Sequence, residues 1–170
     1  MKKIVIGIIP LIIFIIGCAG SARSRNSDDI SLDDAVTNSA QFIKNRLPAK
    51  TRIAVLTIAS PTNELSQYIY DELVASLLET GSFTLIDRKE IDLIRNELKL
   101  QISGEVSDDS MQSVGKMLGA QYIVTGSFTD MDDFFRLVIR VLNVETAAVE
   151  MQYRVNIDGD DDVVWTLIEG

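Results

Sequence analysis

Histidine is missing from all 170 residues of this chain. That removes the commonest general base, the usual metal ligand, and every nucleophile–histidine pair. Cysteine occurs once, at Cys18, so no disulfide can form within the chain and zinc sites of the usual kind are excluded. Cations are scarce, with 16 Lys and Arg against 25 Asp and Glu, a net charge of −9. Such a chain repels phosphate backbones, which argues against nucleic acid as a partner. No glycine-rich phosphate loop follows a strand, and no repeat recurs at a fixed period. Carboxylates, lysines and hydroxyls are all that remain for chemistry. The chain therefore reads as a non-enzyme, with no catalytic residue, cofactor or metal assigned. No apolar run reaches the ~20 residues of a membrane-spanning helix. The longest, Ile4–Ile16, has 13 and contains Gly7 and Pro10.

What is present begins at that run. Lys2 and Lys3 precede it, and Gly17 and Cys18 follow. A basic start, a short apolar core and a small residue before the cut make a secretory signal. A cysteine just beyond the cut resembles the lipobox of bacterial lipoproteins. In that pattern the chain is cleaved after Gly17, and Cys18 is acylated (palmitate is one such chain) as the first mature residue. An uncleaved inner-membrane anchor and an ordinary cleaved signal are the alternatives. Each buried methylene adds ~0.8 kcal/mol, so several acyl chains on one cysteine hold firmly. Ala19 stands where the family rule often has Asp for inner-membrane retention. The expected location is therefore the outer membrane, facing the periplasm, ahead of the inner membrane or cell surface. Losing residues 1–17, with two lysines and no acid, leaves 153 residues and takes the charge from −9 to −11. That length suits one domain with a real core.

The organisation expected is a signal peptide over 1–17, the lipidated cysteine and a flexible leash over 18–30, an N-terminal helix over 31–48, an α/β domain over 49–158 and an acidic tail over 159–170. The leash, about twelve residues, reaches at most ~40 Å. Ser31 caps the first helix, with Asp33 and Asp34 in its first turn and Pro48 as its stop. Leu32, Ala35, Val36, Ile43 and Leu47 share a face, which predicts docking on the domain. Arg52–Ala59 reads as a buried strand. A helix follows from about Glu64 to Thr80, with Leu65, Ile69, Leu73 and Leu77 inward, Val74 and Leu78 widening the stripe, and Gly81 ending it. Phe83–Ile86 is a short strand. Asp87 opens a helix with Glu90 at capping-box spacing and Ile91, Ile94 and Leu98 inward. Residues 102–106 form a loop. Ser107 caps a helix that buries Met111, Val114 and Leu118 and ends at Gly119. Three strands close the chain, at Tyr122–Phe128, Phe135–Val144 and Val149–Ile157. In the last, Val149, Met151, Tyr153, Val155 and Ile157 alternate with Glu150, Gln152, Arg154 and Asn156. The last two form a hairpin, and one wet face is expected there. Val163–Ile168 is a last short element. The order α-β-α-β-α-α-β-β-β predicts an α/β fold, a single domain with a mixed sheet packed by helices.

Leu85–Phe128 carries a recognisable pattern. Its parts are Ile86-Asp87-Arg88 opening a helix, Gly104 to Asp109 before another, and Gly115-Lys116-Met117-Leu118-Gly119-Ala120 feeding Tyr122-Ile123-Val124-Thr125-Gly126-Ser127. Together these resemble the curli assembly and transport (CsgG-like) family, more weakly from Arg52 to Ile157. The superfamily includes a lipoprotein activator of penicillin-binding proteins and domains like the TolB amino-terminal domain. The motif residues Asp87, Arg88, Gly104, Gly115, Gly119, Ala120 and Gly126 have a structural reading: a cap at Asp87, unusual backbone angles at Gly104 and Gly119, and close approach at Gly126. The curli channel subunit adds long amphipathic hairpins that pool into a barrel; six residues between Phe128 and Phe135 leave no room for them. The activator has a long tether, and the leash here is short.

The resemblance implies a lipoprotein of the cell envelope that binds or assembles through protein contacts. A curli-type secretion assembly and an activator of a peptidoglycan synthase are the alternatives. The expected partners are the membrane, through Cys18, and an envelope protein of unknown identity, with a homo-oligomer as an option. The free sheet edge, the acidic loops or the N-terminal helix would make contact. Asp158 to Asp162 lacks the spacing and closing Glu of a calcium loop, and with Asp130, Asp132 and Asp133 reads as solvated turns. Asp108 and Asp109 suit a helix start, and Lys116 near Ser113 is an ordinary i,i+3 pair.

Overall fold

A computed structural model describes residues 29–97 and 107–169. Gly17, Cys18, most of the leash, Leu98, and the 102–106 loop with Gly104 lie outside the described residues.

The elements run α1 (Leu32–Lys44), β1 (Thr51–Ala59), α2 (Asn63–Glu79), β2 (Phe83–Leu85), α3 (Arg88–Glu97), α4 (Asp108–Leu118), β3 (Tyr122–Asp130), β4 (Phe134–Asn143), β5 (Val149–Asp158) and α5 (Asp162–Glu169). The sheet order is β2-β1-β3-β4-β5. β2, β1 and β3 are parallel, while β3–β4 and β4–β5 are antiparallel. The mixed α/β sheet and its element order are as the sequence predicts. The last short element is helix α5, whose Val164 is fully buried, so the end of the chain is built into the core.

Local signals explain the helix ends. Ser31 Oγ accepts from the Asp34 amide, Thr62 Oγ1 from Leu65, and Ser107 Oγ from Ser110. Each satisfies one otherwise unpaired amide of a first turn. Asp87 Oδ1 accepts from the Lys89 amide. No return bond from Glu90 forms among the described residues, so the expected capping box is half made. Gly119 closes α4 at φ +62°, in the left-handed region where a side chain is strained. Helix α1 ends at Lys44, before Pro48 is reached. The chain then turns so that Leu47 can still be buried.

The helices divide between the two sheet faces. α1, α2 and α5 seal the first, around Leu32, Ile43, Leu65, Ile69, Leu73, Leu77, Ile53, Ile58, Leu137, Phe135 and Val164. Each such side chain, fully buried, contributes roughly 1.5–3 kcal/mol. The ring of Phe135 lies 5.3 Å from that of Phe128 and 5.6 Å from that of Trp165. On the second face α3 and α4 bury Ile91, Met111, Val114 and Leu118 against Ala54, Leu56, Ile123 and Leu142. Leu78 does not join the α2 stripe but is 55% exposed. It follows Leu77, and the turn of ~100° between neighbours carries it off the buried line. Val149 also leaves its expected face. A register shift between Val141 and Leu142 puts Met151 opposite the first and Val149 opposite the second. The extra residue breaks the period of two.

Candidate functional site

The helices α3 and α4 reach across the second face only as far as the row Ile123–Leu142. Beyond it, among the described residues, the antiparallel half of the sheet carries three mostly polar rows that no helix covers, touched only where Asp108 at the start of α4 meets Arg140. The rows are Thr125–Arg140–Gln152, Ser127–Val138–Arg154 and Thr129–Arg136–Asn156, set side by side by the strand registers. This is the wet face expected from the alternation in the last strands. The strands place these side chains because alternate residues point to opposite faces. Phe135, Leu137, Ile139 and Val141 go into the sealed core, so their neighbours must face out.

Three arginines stand on this surface in a chain of net charge −9. Arg136 donates from Nε to Asn156 Oδ1 at 3.2 Å, and its guanidinium lies 5.1 Å from the Phe134 ring. Arg140 reaches Asp108 on α4, 3.3 Å from both carboxylate oxygens. Arg154 is exposed and forms no ion pair among the described residues. Val138, half-buried, lies between them. The arrangement presents guanidinium, amide and hydroxyl groups side by side.

The other surfaces are committed elsewhere. α1 is locked down through Leu32, Ala35, Val36, Ala40 and Ile43, as docking predicts. Its Phe42 ring stacks 4.7 Å from Tyr153 of β5. The acidic loops hold the chain's own backbone. Asp161 accepts from the amides of Leu32 and Val164, and Asp130 from Asp132. The outer edge of β5 is partly closed by Ile30, which pairs in parallel beside Ile157.

The motif residues scatter. Gly126 sits in β3, where an added Cβ would come within 2.5 Å of the Val138 carbonyl oxygen, so close approach does require glycine there. Gly115 packs under Val144 and Ile123. The Ala120 amide donates to the Gly115 carbonyl at 2.9 Å, closing the turn after α4. Asp87 caps α3. Arg88 stands apart, in a cleft between α2 and α3. Ser113 donates to the Asp109 carbonyl of its own helix, which turns its hydroxyl from Lys116. Among the described residues no group of three or more carboxylates gathers to hold a metal ion. None of the helices described is long and apolar enough to cross a membrane.

The arginines of the open face were not marked by any motif. Their only signal was position, on the residues of β4 and β5 that alternate with the apolar ones. Arg95, also unmarked, follows Ile91 by four residues on the apolar stripe of α3 and is buried.

The fold is shared with solved structures. The C-terminal domain of LpoB from Escherichia coli matches with a TM-score of 0.66 at 15% identity, covering 75% of this chain and 98% of that one. The corresponding domain from Salmonella enterica gives 0.65 at 16%, with the same coverage of 75% and 98%. Lipoprotein GNA1162 from Neisseria meningitidis gives 0.52 at 9%, covering 70% of this chain and 91% of that one. At these identities the likeness is one of architecture. No curated protein matches the chain. The family model described as "Curli production assembly/transport component CsgG" matches residues 37–137, more than half of the sequence. The protein therefore belongs to the CsgG family, with a mixed α/β fold of the kind seen in the C-terminal domain of LpoB.

Proposed function

We propose that this protein is a non-enzymatic lipoprotein of the bacterial envelope that works by binding another envelope protein through the open face of β3, β4 and β5. The carrying observation is the polar surface with Arg136, Arg140 and Arg154 that, among the described residues, no helix covers, on a chain of net charge −9. Opposite charge on a partner would steer encounter and fix orientation. Cys18, acylated after cleavage behind Gly17, would hold the domain at the outer membrane, facing the periplasm. The leash of residues 18–30 would keep it near the bilayer.

Two finer roles follow from the family: a place in a secretion or transport assembly, and activation of a peptidoglycan synthase. The short turn Met131–Asp133 between β3 and β4 favours a contact role over a pore, since this hairpin supplies no membrane-crossing strands. A photo-crosslinking residue at Val138 tests the reading in living cells. The expected result is one dominant envelope adduct, lost when Arg136 and Arg154 are both changed to Glu. A penicillin-binding protein in the adduct selects the activator role, and a secretion component selects the assembly role. Equal capture from Glu72, exposed on α2 behind the other face, would defeat the assignment. Intact mass of the purified protein checks the anchor: a bare Cys18 or an uncut amino terminus would overturn it.

A further inference from the structure

β2 is only three residues long and pairs with β1 only over Thr51–Ile53. β1 runs on to Ala59. Past the end of β2, the helices α2 and α3 flank this length of strand and leave a small cleft between them. Val55 and Thr57 form its floor, Gln67 and Tyr70 one wall, Arg88 and Arg95 the other. It opens beyond the carboxyl end of a parallel strand pair, where open α/β sheets commonly receive ligands.

Arg95 is the less well paired of the two cations in the cleft among the described residues. Arg95 is only 9% exposed. Its single ion-pair contact among the described residues is Asp92 at 4.0 Å, and the Asp92 side chain is 51% exposed. Burial lowers the Arg95 pKa below its ordinary value; Asp92 acts against this and Arg88 adds to it. Arg88 is better served. It donates to Gln67 Oε1 at 2.5 Å, its guanidinium lies 4.5 Å from the Tyr70 ring, and Asp92 is 3.9 Å from its Nε. Among the described residues both guanidinium groups thus pair with the same half-exposed Asp92, while Asp71 and Asp87 act on Tyr70 from nearby. Buried cations are as a rule paired and hydrogen-bonded, because desolvation is otherwise uncompensated.

We infer that this cleft is a carboxylate-binding site, with Arg95 as the principal cation, Arg88 as the second and the Tyr70 hydroxyl as an added donor. A volume of ≈ 30 Å³ admits a group about the size of two waters. The two oxygens of a carboxylate fit that space. A planar, two-oxygen group also matches the fork of a guanidinium. The carboxylate could be a free small acid or an acidic side chain on a peptide, and the two are separable by experiment.

The test uses the full chain in detergent, with the Arg95 side-chain Nε–H followed by NMR. Acetate, the peptide acetyl-Ala-Asp-Ala-amide and inorganic phosphate are titrated in turn. The expected result is a saturable shift with acetate or the peptide and at least about tenfold weaker binding of phosphate. Peptide binding about tenfold tighter than acetate identifies a partner chain as the source; equal binding identifies a free acid. The variant R95M keeps an unbranched apolar stem without the guanidinium or its charge. It should abolish the shifts of neighbouring Tyr70 and Gln67 on acetate addition. With no ligand, it should raise Tm by about 2–4 °C, because a buried and weakly paired charge has been removed. A non-saturating response, shifts that persist in R95M, or a lower Tm for R95M would each overturn the site and make Arg95 a purely structural residue.

Discussion

The two faces of one sheet behave differently in this protein. The first is closed by α1, α2 and α5, and its apolar residues from β1, β3 and β4 are essentially inaccessible. The second is covered by α3 and α4 over the parallel half, and beyond Ile123 and Leu142 it turns polar. Strand β4 serves both at once. Phe135, Leu137, Ile139 and Val141 face the sealed core, and Arg136, Val138 and Arg140 face the open surface. Stability therefore resides chiefly on one side, and the proposed binding surface lies on the other. A protein that acts by contact gains from that separation, because its binding surface can change without disturbing the core.

The contrast can be broken most strongly at Phe135. Phe135→Ala removes the ring between Phe128 and Trp165 and should cost about 3–5 kcal/mol, read as a lower midpoint in urea. Gly126→Ala comes next, at about 1–3 kcal/mol, since its Cβ would press on the Val138 carbonyl in the middle of the sheet. On the open face the effects shrink. Arg140→Ala breaks a partly exposed pair with Asp108 and should cost no more than about 1 kcal/mol, with less loss at high salt. Arg154→Glu should leave stability within about 0.5 kcal/mol while weakening partner capture. An Arg154→Glu protein that unfolds would erase the division between the faces.

A subtler probe lies in the seam between α1 and α2. Tyr68 donates to Asp33 at 2.8 Å, and its hydroxyl pKa is pushed up to about 12, first by burial and then by that bond. The folded state then holds the proton more tightly than the unfolded state, whose value is near 10.0. Stability from this group is present below pH 10 and declines as pH climbs towards 12. Tyr68→Phe should flatten that part of the stability profile measured by urea titration.

Much of the fold was legible locally. The repeat of Leu65, Ile69, Leu73 and Leu77 and the caps at Ser31 and Ser107 need only helix geometry to interpret. Gly119 and Gly126 were legible for the same kind of reason, a left-handed angle and a close backbone approach. The candidate site was less so. Alternation in β5 predicts a wet face, but no periodicity says which helices stop short of it. Arg95 shows the limit well. On the α3 stripe it reads as an interruption, and only the meeting of α2, α3 and the length of β1 beyond β2 makes it a buried cation.

Periodicity, capping residues and turn glycines act over a few residues, so the chain alone determined the order of helices and strands and which side of each is apolar. Local chemistry also argues against histidine-based catalysis, since the residue is absent. Tertiary structure decided the rest. It set how far α3 and α4 extend across the sheet, brought Arg136, Arg140 and Arg154 onto one surface, and closed Arg88 and Arg95 around one cleft. Those outcomes depend on pairing between residues distant in the chain, and such pairing is fixed by the packing of whole elements.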